Sequence, residues 1–180
     1  YRYAIDNVMD PMHGAYLHAK SHSMSTGDKS AQMRLSETGQ GWMFEKENQS
    51  GVNFDWVEFA DTGTFWMRLA IPYRKNAGPG GNFTIIGFVT PVTEQVCQVY
   101  FWRVRKVSGW ERDTWRFLYK NRLEGLHWDV LEQDRVVLEA MQDNARTRES
   151  LYQHDAGMTK IRRDLRILAQ KQVNTQTSHA

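Results

Sequence analysis

The sequence predicts an α+β fold, a curved antiparallel sheet packed against long helices. Three observations carry this. Between residues 41 and 107, β-rich runs follow one another at gaps too short for crossover helices. Residues 110–143 then hold no proline and a single glycine, as a long helix requires. Further on, Ile161, Leu165 and Leu168 recur at helical spacing, with Arg162, Arg163 and Arg166 on other faces.

From the N-terminus, Pro11 suits a first helical turn and Asp10 just before it can cap that turn. Residues 11–22 read as a helix carrying His13 and His18. Residues 23–40, rich in Ser, Thr, Gly and Gln, read as a loop able to cover a neighbouring site. Strands are expected at Trp42–Glu47, Val52–Phe59, Thr64–Ile71, Phe83–Val89 and Val96–Arg105. The cluster Asn76-Ala77-Gly78-Pro79-Gly80-Gly81 is a turn, and Pro91–Glu94 makes a short connection. Residues 110–143 form one helix or two, with Gly125 as the expected interruption. The helix around 161–168 should dock on the sheet. The polar tail, residues 173–180, is expected to be disordered.

The chain has 180 residues, enough for one domain with a substantial core. Its 23 Lys and Arg nearly balance 21 Asp and Glu, which gives no electrostatic footprint for nucleic acid. The seven tryptophans are expected in the core. The single cysteine, Cys97, cannot form a disulfide within the chain, which favours a reducing, cytoplasmic setting. No apolar run reaches the about 20 residues that span a bilayer. A start at Tyr1-Arg2-Tyr3 is expected of a piece of a longer polypeptide.

The chemistry concentrates in two places. Asp10, His13 and His18 crowd one short element, and Asp134 stands in Glu132-Gln133-Asp134-Arg135. Two imidazoles and a carboxylate on one face of a metal form the facial triad of non-haem Fe(II) sites. Asp10 and His13 share a helix face, so the carboxylate can accept the second ring N–H of His13. His18 lies about 140° round an ideal helix from His13. The two can meet at one ion only if the helix bends or the side chains reach sideways. Ordinary surface or core histidines would fit the spacing equally well, and His, His and Asp also suit catalytic zinc.

The pattern Asp6-Asn7-x-x-Asp10-x-x-His13-x4-His18 resembles the iron motif of Rieske non-haem iron oxygenases, in the catalytic domain of their α subunits. Glu132-Gln133-Asp134-Arg135-Val136-Val137-Leu138-Glu139-Ala140 is similar to the stretch holding the third ligand in the dicamba and vanillate O-demethylase branch. The Arg162-Arg163-x-Leu165-x-x-Leu168 helix resembles the end of these proteins. The resemblance covers Tyr1 to about Gln172 and implies a helix-grip (START-like) fold.

It further implies that His13, His18 and Asp134 bind mononuclear Fe(II), and that Asp10 bridges to the electron donor. Asp129 and Glu132 are the competing carboxylates. The pocket is expected between the sheet and the Asp134 helix, with Met12, Tyr16, His127, Val130 and Leu131 as candidate lining. A Rieske [2Fe–2S] centre needs two Cys and two His, so it must lie on an N-terminal domain absent from this chain, or on another polypeptide. The implied activity is O₂-dependent hydroxylation or oxidative O- or N-demethylation of an aromatic compound, with cis-dihydroxylation as the alternative. The implied partners are other subunits of a homotrimer and a ferredoxin or NAD(P)H-dependent flavin reductase. A zinc hydrolase and a helix-grip domain binding a hydrophobic ligand are the competing readings. His22, His154 and His179 are expected to be solvated, and Arg162, Arg163 and Arg166 to form a solvated or subunit-facing surface.

Overall fold

A computed structural model describes residues 1–18, 28–48, 55–71 and 81–177. The described chain runs α1 (Arg2–Val8), α2 (His13–Leu17), β1 (Met33–Glu37), β2 (Gly41–Lys46), β3 (Trp56–Ala60), β4 (Thr64–Ile71), β5 (Gly81–Pro91), β6 (Cys97–Val104), α3 (Gly109–Leu118), a wide π turn (Tyr119–Leu123), α4 (Glu124–Glu139) and α5 (Ala156–Thr177). All six strands pair antiparallel with their chain neighbours, in the order β1 to β6. The sheet is open rather than closed into a barrel, and with its helices it is the expected α+β architecture, consistent with a helix grip.

Alternation decides which face the helices cover. Phe44 pairs with Val57, Val57 with Met67, and Met67 with Ile85, which makes one apolar row across the sheet. All four side chains are buried. Trp42, Phe59 and Phe65 form the next row. Onto this face pack Ile5 and Val8 from α1, Met9 just after it, Trp115 from α3, Leu123 from the π turn and Ile161 from α5. A Cβ at Gly157 would collide with the Phe44 ring, so glycine lets the start of α5 lie directly on β2.

Several elements depart from expectation. The polar stretch 23–40 contains a strand, β1, which pairs only with β2 and is mostly exposed. An edge strand has little apolar face, so its alternation is faint; Arg34 bound to Glu45 across the pair marks it instead. α1 was not anticipated, and α2 is far shorter than 11–22; residues 19–22 lie outside the described residues. The cap is also different. The Asp10 carboxylate accepts the Met12 N–H at 2.8 Å in a turn that precedes α2. The expected strand over 52–59 is observed from Trp56, with 52–54 outside the described residues.

The helix expected over 110–143 runs without a break from Gly109 to Glu139, and its irregularity precedes Gly125. In the π turn, the Asn121 side chain donates to the Phe117 carbonyl at 2.8 Å. α5 passes Gln172 and continues to Thr177, so the polar tail is helical that far. Tryptophan is not uniformly core: Trp42 and Trp115 are buried, whereas Trp102, Trp110 and Trp128 are exposed.

His154, expected to be solvated, and Arg162, expected on a solvated or subunit-facing surface, both turn inward. His154 is buried, with Nε2 against the Ala31 carbonyl at 2.9 Å and Nδ1 near the Tyr152 hydroxyl. Arg162 binds buried Asp6 through Nε at 3.0 Å and Nη2 at 2.8 Å, and it also reaches Glu149. Arg146 binds the same Asp6 at 2.7 Å. No described helix is long and apolar enough to cross a membrane.

Candidate metal centre

α2 and α4 bring three donor side chains to one point. His13 is the first residue of α2 and His18 follows its last. The backbone leaves the helical region at His18 (φ −98°, ψ 36°), so five residues of sequence no longer impose the angular offset of an ideal helix. Both Nε2 atoms turn to the same oxygen of Asp134 on α4. His13 Nε2 lies 3.5 Å from Oδ1 and His18 Nε2 lies 3.2 Å from it. The rings meet edge to face with centroids 5.2 Å apart.

The far nitrogen of each ring is held by a carbonyl oxygen. His13 Nδ1 faces the backbone carbonyl of Asp10, and His18 Nδ1 lies 3.0 Å from the Gln133 side-chain oxygen. A carbonyl only accepts, so each Nδ1 carries a proton, and in the neutral form of either ring the lone pair stands on Nε2. Asp10 therefore acts on His13 through its main chain, where a carboxylate contact was expected. Asn7, from α1, donates its side-chain N–H to the same Asp134 oxygen at 3.2 Å.

Two lone pairs and a carboxylate at one point repel unless a cation lies among them. His18 shows this demand. Its ring is wholly buried, and its Nε2 lies 3.2 Å from Asp134 Oδ1, the closest charged group to it among the described residues. Burial opposes protonation of His18, but contacts with Asp134 and Gln133 outweigh it and its pKa is raised. A proton on His18 can supply the positive charge in part, and a divalent metal can supply it for all three groups. His13, His18 and Asp134 each offer a ligand atom within 4.8 Å of the others. The separations of 3.5 and 3.2 Å suit neighbouring ligand atoms that would each stand about 2.1 Å from an ion. The donor set, two imidazoles and one carboxylate, fits iron and zinc alike.

The profile of the vanillate O-demethylase oxygenase C-terminal domain matches residues 1–171. The chain belongs to that family. This makes it an oxygenase domain, and the family implies a non-haem iron that the three side chains are chemically suited to hold. No curated protein matches this oxygenase domain. No solved structure matches it.

The other sequence candidates are placed as follows. Among the competing carboxylates, Asp129 is exposed and Glu132 is bound to Arg135 on the outer side of α4. Val130 and Leu131 are half-buried, one turn before Asp134. His127 is half-buried two turns before it, with its ring 5.6 Å from Tyr119. Met12 is in the interior, 4% exposed. Tyr16 is 57% exposed and carries the Lys29 ammonium over its ring, so it does not present an enclosed wall. Asp10 is half-buried, and its charge is felt by buried Lys46, whose pKa burial lowers.

Sequence reading gave no role to Asn7 or Gln133. Both lie beside residues it singled out, but their partners are more than a hundred positions away, which spacing cannot show.

Two outcomes follow. Gln133→Leu removes the acceptor for His18 Nδ1 and should weaken divalent-metal binding by about 10–100-fold in a chelator competition; affinity equal to wild type would refute the contact's role. His127 is held down to about 4 by burial and by the charge of Arg103. The unfolded chain then takes up this proton first, so His127 withdraws stability as pH falls from 6.5 towards about 4. A histidine NMR titration should place its midpoint near the lower value, whereas a midpoint near 6.5 would contradict its burial.

Proposed function

We propose that this domain catalyses O₂-dependent hydroxylation or oxidative demethylation of an aromatic substrate at a mononuclear Fe(II) held by His13, His18 and Asp134. The observation that carries the reading is the convergence of both Nε2 lone pairs on Asp134 Oδ1, in a chain of this family. Bound iron would supply activation of O₂ beside the substrate.

The residues divide the remaining work. The Asp10 carbonyl and the Gln133 amide fix the two imidazole tautomers. Asn7 holds Asp134 Oδ1 in place and takes up part of its negative charge. Val130 and Leu131 provide apolar surface one turn along α4, which keeps water from the reacting end of a flat substrate. The Asp10 carboxylate, which accepts the Met12 N–H beside the metal-binding element, would be the bridge to a Rieske [2Fe–2S] centre on a preceding domain or another polypeptide. A ferredoxin or NAD(P)H-dependent flavin reductase would reduce that centre, and a homotrimer is the expected assembly.

Full-length protein purified without oxygen should carry near-stoichiometric iron, and His13→Ala should lose it. Asp10→Ala should keep the iron yet lose turnover at least about a hundredfold with reductase and a methoxylated aromatic. Zinc in place of iron would favour a hydrolase. Normal turnover in Asp10→Ala would remove the bridge. No metal, even after Fe(II) is added, would leave a domain that binds hydrophobic ligands.

A further inference from the structure

Asp6 and Asn7 are neighbours on α1, yet they meet different parts of the molecule. Asn7 turns to α4 and donates its side-chain N–H to Asp134 Oδ1 at 3.2 Å. Asp6 turns to the C-terminal part of the chain and is buried, 7% exposed. Arg162 of α5 takes both oxygens of its carboxylate, with Nε 3.0 Å from Oδ1 and Nη2 2.8 Å from Oδ2. Arg146 Nη2 stands 2.7 Å from the same Oδ2. Arg162 also binds Glu149, with Nη2 2.9 Å from Oε2. Two arginines and two carboxylates thus alternate, and their charges cancel.

Seating α1 does not by itself require this network. Ile5 beside Asp6 and Ile161 beside Arg162 already lie in the apolar core. Apolar contact is non-directional, however, and leaves a short helix free to roll about its axis. α1 has only seven residues with which to resist that roll. A two-pronged guanidinium–carboxylate pair does resist it, because both N–H···O bonds must keep their line. A side chain stands about 5 Å from a helix axis, so a roll of about 20° carries it about 2 Å. A displacement of that size breaks the Asn7 hydrogen bond to Asp134.

We propose that Arg162 is a positioning residue for the metal centre: its grip on Asp6 fixes the roll of α1, and with it the hydrogen bond by which Asn7 holds Asp134. This rests on the reading of His13, His18 and Asp134 as that centre. A residue of the C-terminal helix, touching none of the three donors, thereby sets the orientation of one of them.

Two measurements on the full-length protein test this. The first is Fe(II) affinity by anaerobic chelator competition. Arg162→Met, which keeps an apolar stem without the charge, should weaken binding about threefold or more, and Arg162→Lys should recover part of the loss. In an Asn7→Ala background the same Arg162→Met change should add less than about twofold, because its route to Asp134 is already cut. The second is solvent exchange of the Asn7 side-chain amide, followed by NMR without metal. Arg162→Met should speed it about tenfold or more. If Arg162→Met does not fold, Asp6→Leu with Arg162→Met replaces the pair by apolar groups, which keeps the fold and should show both effects. Wild-type affinity and exchange in a folded variant, or a loss of affinity just as large without Asn7, overturns the proposal. The amide separates the two readings. Faster exchange in a protein that binds no Fe(II) removes the metal centre alone, and Fe(II) binding with unchanged exchange removes the role of Arg162 alone.

Discussion

Two imidazole lone pairs and one carboxylate oxygen share a few ångströms of space in this domain, and that arrangement is stable only around positive charge. The rest of the fold serves the constraint. α2 is only five residues long, which frees His18 from the helical angle that would part it from His13. α4 carries Asp134 and Gln133 side by side, so one helix supplies both the acid facing the histidines and the carbonyl that fixes the buried ring. Each imidazole is held from behind by an oxygen and turns its Nε2 to Asp134, as a metal ligand must be held.

Holding α2 against α4 needs more than contact between the two. α1 does part of this work through adjacent residues facing different partners. Asn7 binds Asp134, while Asp6 is gripped by Arg146 and Arg162 from the C-terminal part of the chain. A buried ion pair adds little net stability when weighed against an apolar alternative, but it is strongly directional and fixes register. Asp6 with its two arginines thus ties α1 to α5, which is itself seated on β2 through Gly157 and Ile161. The N-terminal helices are set on the sheet by this chain of contacts, and the donor atoms follow.

The sheet was legible wherever burial imposed alternation. Phe44, Val57, Phe59, Phe65, Met67, Phe83 and Ile85 face inward, and strands were expected at each. It was not legible at β1, where an edge strand exposes both faces. The long helix was legible from the absence of breakers. Its π turn was not, because Tyr119–Leu123 contains no breaker residue to mark it. At the site, the histidines and Asp134 were visible as residue types in an ordered pattern. Their supports were not, since a neutral Gln or Asn carries no signature until its distant partner is known. The same holds for His154 and Arg162, polar residues in polar stretches that fold inward to meet Ala31 and Asp6.

Anomalous diffraction at the iron edge, from crystals of the full-length protein grown with Fe(II) under anaerobic conditions, tests the central claim most directly. The account predicts a mononuclear iron peak in contact with His13 Nε2, His18 Nε2 and Asp134. Iron bound elsewhere, with those three side chains hydrogen-bonded only to one another, would contradict it.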